Sequence, residues 1–292
     1  MHTPSLRLPA AIVAFALTSA AATASETAPR LVSADMNDPK GPMSRMGEFC
    51  VGAGRANEGL RADWQRQLAE VKENCGFRYL RFHGLFCDDM GVVLRDRSGR
   101  IVYNWQYVDE LFDYMLSIDV KPFVELGFMP QAIASGDKTI FWWKGNVTPP
   151  KNYEDWENLV RAAVQHWTDR YGAEEVASWY FEVWNEPNLS GFWIGDTMGM
   201  SGEEWQSFAR EEYFKLYDAS AKAVKSVNPR YRVGGPATAG NAWVPQMLEH
   251  CEKTGAPIDF VSTHNYAVMA GYLDEFGTNG TVFCPNRDAM IS

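Results

Sequence analysis

Trp179-Tyr180-Phe181-Glu182-Val183-Trp184-Asn185-Glu186-Pro187-Asn188 decides how the rest of the chain is read. Aromatic and β-branched residues from Trp179 to Trp184 favour an extended, buried strand. Pro187 cannot donate to a sheet ladder, and Asn188 favours a turn, so the strand stops there. A carboxyl group (Glu186) and a carboxamide (Asn185) are thereby left at the strand's C-terminal tip.

The same grammar extends in both directions. Apolar runs of strand length occur at Met46–Val51, Tyr79–Phe82, Pro122–Leu126, Arg232–Gly235 and Phe260–Thr263. Helical stripes lie between them: Trp64, Leu68, Val71 and Cys75; Trp156, Leu159, Val160, Ala163 and Trp167; and Val244, Met247, Leu248 and Cys251. Ser201-Gly202-Glu203-Glu204 reads as a capping box opening another helix near Trp205. Alternation of this kind implies a parallel sheet, because each parallel connection needs a crossover. No linker-like stretch interrupts residues 30–266, so the expectation is one α/β domain over residues 25–292.

Two parallel architectures compete. Gly52-Ala53-Gly54 hints at a dinucleotide loop, but the third glycine of that pattern is replaced by Asn57. Several strand ends instead carry polar or aromatic residues: His83, Phe128, Asn185 with Glu186, and His264 with Tyr266. Sites assembled from many strand ends belong to the (β/α)8 TIM barrel. The six strand–helix units use the chain as far as Tyr266, so the barrel is expected here only through about its sixth strand.

Composition narrows the function. The 292 residues are 46% apolar, enough for a large core, and carry 27 basic against 37 acidic residues, a net charge of −10. An acidic chain without a basic run excludes phosphate-backbone binding, so no nucleic acid partner is expected. Residues 1–24 hold one arginine (Arg7), an apolar run from Ala10 to Leu17, and Ala22-Thr23-Ala24 as a cleavage site. That is the pattern of an export signal, implying a periplasmic or secreted protein. No later stretch reaches membrane-spanning length, so no membrane partner is expected. Cys50, Cys75, Cys87, Cys251 and Cys284 form no C-x-x-C pair, which leaves no zinc motif; one disulfide is open, with the pair unassigned. Cys75 and Cys251, closing helical stripes, are expected to be core thiols.

The chemistry concentrates at Glu186. Glycoside cleavage needs an acid that protonates the departing oxygen, and aromatic walls favour the protonated carboxyl by desolvating its anion. The neighbouring Asn185 amide suits the substrate's 2-hydroxyl. A solvated Glu before a turn-forming Pro has the same local sequence, so the strand-end pattern is what favours catalysis. His83 and His264 are candidates for sugar hydroxyls, Tyr266 for a donor at the rim, and Phe128 and Trp193 for pocket walls. His166 and His250 fall on helices and are read as structural. His83 with Asp88 and Asp89 would make a forced metal site; no metal and no cofactor is expected. Asn146-Val147-Thr148, Asn188-Leu189-Ser190 and Asn279-Gly280-Thr281 match the glycosylation pattern and are read as chance.

At these residues the chain resembles glycoside hydrolase family 39. The segments are Arg81-Phe82-His83-Gly84-Leu85-Phe86 with Asp88-Asp89-Met90, Glu125-Leu126-Gly127-Phe128-Met129-Pro130, Phe181 to Leu189 with Phe192-Trp193, and Ser262-Thr263-His264-Asn265-Tyr266. The Asp88-Asp89-Met90 and Asn188-Leu189 variants are more similar to the bacterial β-xylosidases than to the α-L-iduronidases. The resemblance implies a (β/α)8 barrel and retaining hydrolysis, with the fourth-strand glutamate, Glu186, as acid/base and a seventh-strand glutamate as nucleophile. It implies an exo-acting β-xylosidase that releases xylose from xylo-oligosaccharides, with no cofactor and no assigned oligomeric state.

No residue matches the nucleophile. A retaining pair stands about 5–5.5 Å apart. Glu182 lies four residues earlier on the same strand, about 13 Å deeper at ~3.3 Å per residue. Glu125 lies inside a strand, Asp88 and Asp89 read as structural or rim charges, and Glu275 precedes any seventh strand. The expected chain therefore lacks half its catalytic pair. The alternatives are a non-catalytic sugar-binding remnant, or another β-glycosidase or iduronidase-like specificity. A uronidase needs a cation for the substrate carboxylate, and none is evident beside the strand-end residues.

Overall fold

Six parallel strands pair in strict chain order: β1 (Cys50–Arg55), β2 (Tyr79–His83), β3 (Lys121–Leu126), β4 (Tyr180–Val183), β5 (Arg232–Ala239) and β6 (Phe260–His264). This computed structural model describes residues 33, 35–38, 41–195, 199–266, 268–274 and 277–283. The export-signal stretch, Glu275 and Cys284 lie outside them. Among the described residues six helices connect or follow the strands: α1 (Ala62–Cys75), α2 (Gln106–Ser117), α3 (Tyr153–Tyr171), α4 (Ala173–Ala177), α5 (Gly202–Val227) and α6 (Val244–Thr254). Beyond β6, Val268–Asp274 and Gly277–Phe283 pair antiparallel. Residues from Ser44 onward form one compact unit; before it, the Asn37 amide donates to Asp35 Oδ1 (2.9 Å).

The sheet is curled. In a flat sheet, strands three places apart stand about 14 Å from one another. Yet Phe123 on β3 and Phe260 on β6 have ring centroids 5.6 Å apart, and Phe49, just before β1, meets Tyr180 on β4 at 5.5 Å. Phe49, Tyr79, Phe123, Tyr180 and Phe260 thus form an aromatic floor at the strands' N-terminal ends, with the Arg232 guanidinium 3.6 Å from the centre of the Tyr180 ring. Side chains two residues further along face the same interior: Arg81, Glu125 and Glu182, with Glu125 and Glu182 directly paired in register. The next layer is the mouth. This layering of inward side chains is that of a (β/α)8 barrel through six strands.

The outer face of the sheet packs against the helices. Trp156, Trp167, Trp179, Trp184, Phe112, Phe181 and Tyr213 are fully buried there. Most of the chain's tryptophan is therefore structural. Trp156 donates to Ser220 Oγ (2.8 Å), tying α3 to α5, and Tyr213 donates to the Val183 carbonyl (3.0 Å), tying α5 to the end of β4. The Ser201 and Glu204 capping box is formed, and it starts α5 at Gly202.

Three expectations change. Met46–Glu48 is a short 3-10 turn, and β1 begins at Cys50, running through the glycines that hinted at a dinucleotide loop. Cys75 is exposed rather than core, and Val71 is 42% exposed, because α1 follows the edge strand β1 and buries only Leu68 fully. Cys251 is buried as expected. Cys50, Cys75, Cys87 and Cys251 are unpaired thiols.

Gly234 marks a close approach of β5 to β6: a Cβ there would stand 2.2 Å from the Phe260 carbonyl oxygen. Overpacking of this kind costs about 1–3 kcal/mol. Gly234→Ala is expected to lower unfolding stability by about 2 kcal/mol, measured by urea denaturation of the chain.

Candidate active site

Arg81 organises the interior below the mouth. Its Nε donates to Glu182 Oε2 (2.6 Å), and its Nη2 donates to Asn185 Oδ1 (2.9 Å) and lies 2.9 Å from Glu125 Oε2. Glu125 and Glu182 are 1% and 2% exposed, and this one guanidinium is shared by both carboxylates. Burial alone would push the Glu125 carboxyl up, but His83 and Arg81 outweigh it and hold the carboxyl below its ordinary value. Burial pulls the Arg81 guanidinium down, and Glu182 and Glu125 more than restore it. Glu125 is therefore a buried structural charge, not a rim one. Glu182 faces the interior, as its spacing predicts.

The end of β4 turns sharply. Trp184 and Glu186 both adopt left-handed backbone (φ 70° and 47°), a conformation that ordinary side chains disfavour and that recurs at functional sites. Backbone bonds hold it: the Trp184 amide donates to the Leu126 carbonyl (3.2 Å) and the Glu186 amide to the Ala237 carbonyl (2.8 Å). Asn188 accepts from the Ala239 amide and donates to the Ala239 carbonyl, fastening the loop to β5. Its glycosylation pattern is thus occupied by structure. Asn146 is likewise buried and bonded to Gln131 and Gly136.

The turn delivers Glu186 to His264. Glu186 Oε1 lies 2.9 Å from His264 Nδ1, with the two side chains 13% and 20% exposed. A carboxyl and an imidazole at this distance are within hydrogen-bonding reach, so His264 fixes the direction in which the Glu186 carboxyl points. On the opposite side of the mouth, His83 Nδ1 lies 2.7 Å from Glu125 Oε2. Asn185 is 2% exposed, and because Arg81 occupies its Oδ1, its NH2 is the group left for a hydroxyl.

The remaining candidates fall into two groups. Tyr266 is 68% exposed just beyond β6. Phe128 and Trp193 are fully buried, which corrects their placement as pocket walls. Phe128 stacks behind His83 (5.9 Å between centroids) and packs on Trp184, while Trp193 donates to the Ala209 carbonyl. Of the two rings His83 is the partly exposed one, with Phe128 behind it. Asp88 accepts the Gln131 amide and Asp89 pairs with Arg55, so neither turns toward His83. His166 and His250 are bonded to Asp109 and Asp218, among the helices.

Three contributors escape a sequence reading. Arg81 is one; its period-2 spacing from His83 on β2 was the available signal. Arg55 is another: it ends β1 and is the register partner of His83, so a cation does stand beside a strand-end residue. Its charge is engaged by Asp89, 2.5 Å away. The third is a two-stranded excursion after β3, Thr139–Ile140 with Gly145–Asn146, which brings Phe141 onto His83 (5.8 Å) and Trp143 onto Phe128 (6.0 Å).

Comparison with known proteins shows the family. Residues 30–275 match the model for Glycosyl hydrolases family 39. The chain is 47% identical over 226 residues to a β-xylosidase of Caldicellulosiruptor saccharolyticus, and 46% identical over 234 residues to one of Geobacillus stearothermophilus. These alignments cover 77% and 78% of this chain but only 44% of each relative. A crystal structure of a monomeric β-xylosidase from Caulobacter crescentus CB15 superposes with a TM-score of 0.76 at 44% identity, over 88% of this chain and 49% of that one. The chain spans a little under half the length of the relatives it matches.

Two outcomes follow from the buried charges. Arg81→Met strands Glu125 and Glu182 and is expected to cost about 3–5 kcal/mol of stability at neutral pH, read by denaturant unfolding. Because the Glu125 carboxyl is depressed in the folded chain, its stabilisation is present above its ordinary value of 4.5 and lost as pH falls through the lowered one. Glu125→Gln should therefore flatten the acid limb of the stability profile, as measured by thermal melts below pH 5.

Proposed function

Because the chain belongs to glycosyl hydrolase family 39, we propose that it carries the acid/base half of a retaining β-xylosidase site. The observation that carries this reading is the Glu186–His264 pair at the end of β4, with Asn185 fixed beside it. In the first step Glu186 gives its proton to the glycosidic oxygen as the bond from that oxygen to the anomeric carbon breaks. A carboxylate on the opposite sugar face forms the covalent intermediate. In the second step Glu186, now ionised and beside His264, takes a proton from the attacking water, and the sugar leaves with its configuration retained. The Asn185 NH2 holds the 2-hydroxyl, a contact that strengthens as charge develops on the ring.

The attacking carboxylate is not assigned to Glu125 or Glu182, since both are bound by Arg81 inside the barrel. It is proposed to come from outside the described residues. A neutral substrate, xylose linked β to a further xylose, suits the mouth better than a uronic acid, because the Arg55 charge there is balanced by Asp89. Export to the periplasm or medium, where xylo-oligosaccharides are met, is the compartment we infer from the Arg7 to Ala24 pattern.

Hydrolysis of nitrophenyl β-xyloside, with and without azide, tests this reading. The chain should be silent in buffer, and azide should restore nitrophenol release by attacking the face the nucleophile would have taken, giving α-xylosyl azide. Glu186→Gln should cut azide-dependent turnover of alkyl xylosides at least about 100-fold while sparing activated leaving groups. Turnover in plain buffer would place the nucleophile within this chain, and silence in both conditions would refute a working sugar site.

A further inference from the structure

Among the eleven tryptophans, all of them described, Trp142 alone is exposed, with 59% of its surface in solvent. A single exposed aromatic is ordinary in itself. What sets this one apart is how it is held. It occupies the tip between Thr139–Ile140 and Gly145–Asn146, where Phe141 and Lys144 both take left-handed backbone (φ 62° and 58°). Such residues cost roughly 1–3 kcal/mol each and persist only where surrounding packing enforces them. The packing is visible. Phe141 stacks on Trp143 (5.0 Å) and on His83, and Gly145 has no room for a Cβ, which would stand 2.6 Å from the Phe128 ring.

Arg55 completes the mount. Its guanidinium carbon lies 4.8 Å from the centre of the Trp142 ring and 5.3 Å from that of Trp143, so one cation is shared by both indoles. Asp89 anchors that guanidinium, and only 12% of the Arg55 side chain is exposed. Trp142 is therefore a flat apolar ring propped on one side by a buried cation, its orientation set before any ligand arrives. Pre-ordering of this kind lowers the entropic cost of binding. Its position is also specific. Arg55 is the register partner of His83, one strand spacing of about 4.8 Å away. Trp142 also follows Phe141 directly, and the Phe141 ring stacks on that of His83 (5.8 Å between centroids), so the platform is tied to the mouth.

We propose that Trp142 is a stacking platform for a second pyranose ring, belonging to a sugar chain whose first ring lies at His83, Asn185 and Glu186. The inference rests on the reading of that mouth as a sugar site. The C–H face of a pyranose is apolar and flat, and it matches the exposed indole, while its hydroxyl edge remains in water. The platform makes a β-linked disaccharide a better ligand than the monosaccharide, and it is independent of which group attacks the anomeric carbon.

Calorimetric titration of the full chain with xylose and with xylobiose tests the proposal. Xylobiose should bind more tightly than xylose. Trp142→Ala should weaken xylobiose by about fivefold, leave xylose within about twofold, and Trp142→Phe should recover most of the loss. Because Trp142 is exposed, melting temperature should change little, which checks that the variant is folded. Equal weakening of both sugars, or no weakening of either, overturns the platform while leaving the sugar mouth intact. A wild-type chain that binds neither sugar overturns the reading of the mouth, and the platform with it.

Discussion

One guanidinium sets the terms for everything above it. Arg81 bridges Glu125 on β3, Glu182 on β4 and the Asn185 carboxamide at the tip of β4. Two carboxylates with almost no exposure would repel each other and lose hydration, and the cation between them offsets both costs. The same contact fixes which way the Asn185 amide points. The charge layer also sorts the barrel vertically, with an aromatic floor below it and titratable side chains above it. The base of the mouth is thus polar and ordered rather than a hydrophobic shaft.

Above this layer, labour is divided between strands. β4 supplies Asn185 and Glu186 by leaving the sheet through left-handed turns, and β6 supplies the His264 that hydrogen-bonds Glu186. β2 supplies His83, which is held from below by Glu125 and from behind by Phe128. β3 contributes indirectly, through the excursion that carries Phe141, Trp142 and Trp143 back over the ends of β1 and β2. Strand ends thus hold the titratable groups of the mouth, and a loop shapes what lies beside them, as expected of a barrel whose sheet is rigid and whose connections vary.

Much of this was legible in the sequence, for identifiable reasons. Strands β2 to β6 lie within a few residues of their expected positions, because apolar runs stopped by polar residues carry both register and direction. β1 was harder: its glycines weaken the strand signal, and the apolar residues just before it, Met46 among them, form a turn instead. Glu186, Asn185, His83 and His264 stand out in the sequence because strand ends are where a barrel exposes polar side chains. Phe128 was misplaced because exposure cannot be read from residue type; the ring lies one layer behind the surface. Arg81, Arg55 and Trp142 act through partners 34 to 104 residues away in the chain, as with Arg55 to Asp89 and Arg81 to Asn185, and no local pattern encodes such pairings.

The central claim is that the mouth formed by β2, β4 and β6 holds a sugar with Glu186 at its anomeric oxygen. Diffraction from crystals of the chain soaked in xylose tests it most directly. The account predicts a pyranose between His83 and Glu186, its 2-hydroxyl on the Asn185 amide and its anomeric oxygen within hydrogen-bonding distance of the Glu186 carboxyl. A sugar bound elsewhere, or one in the mouth that turns its anomeric oxygen away from Glu186, would contradict it.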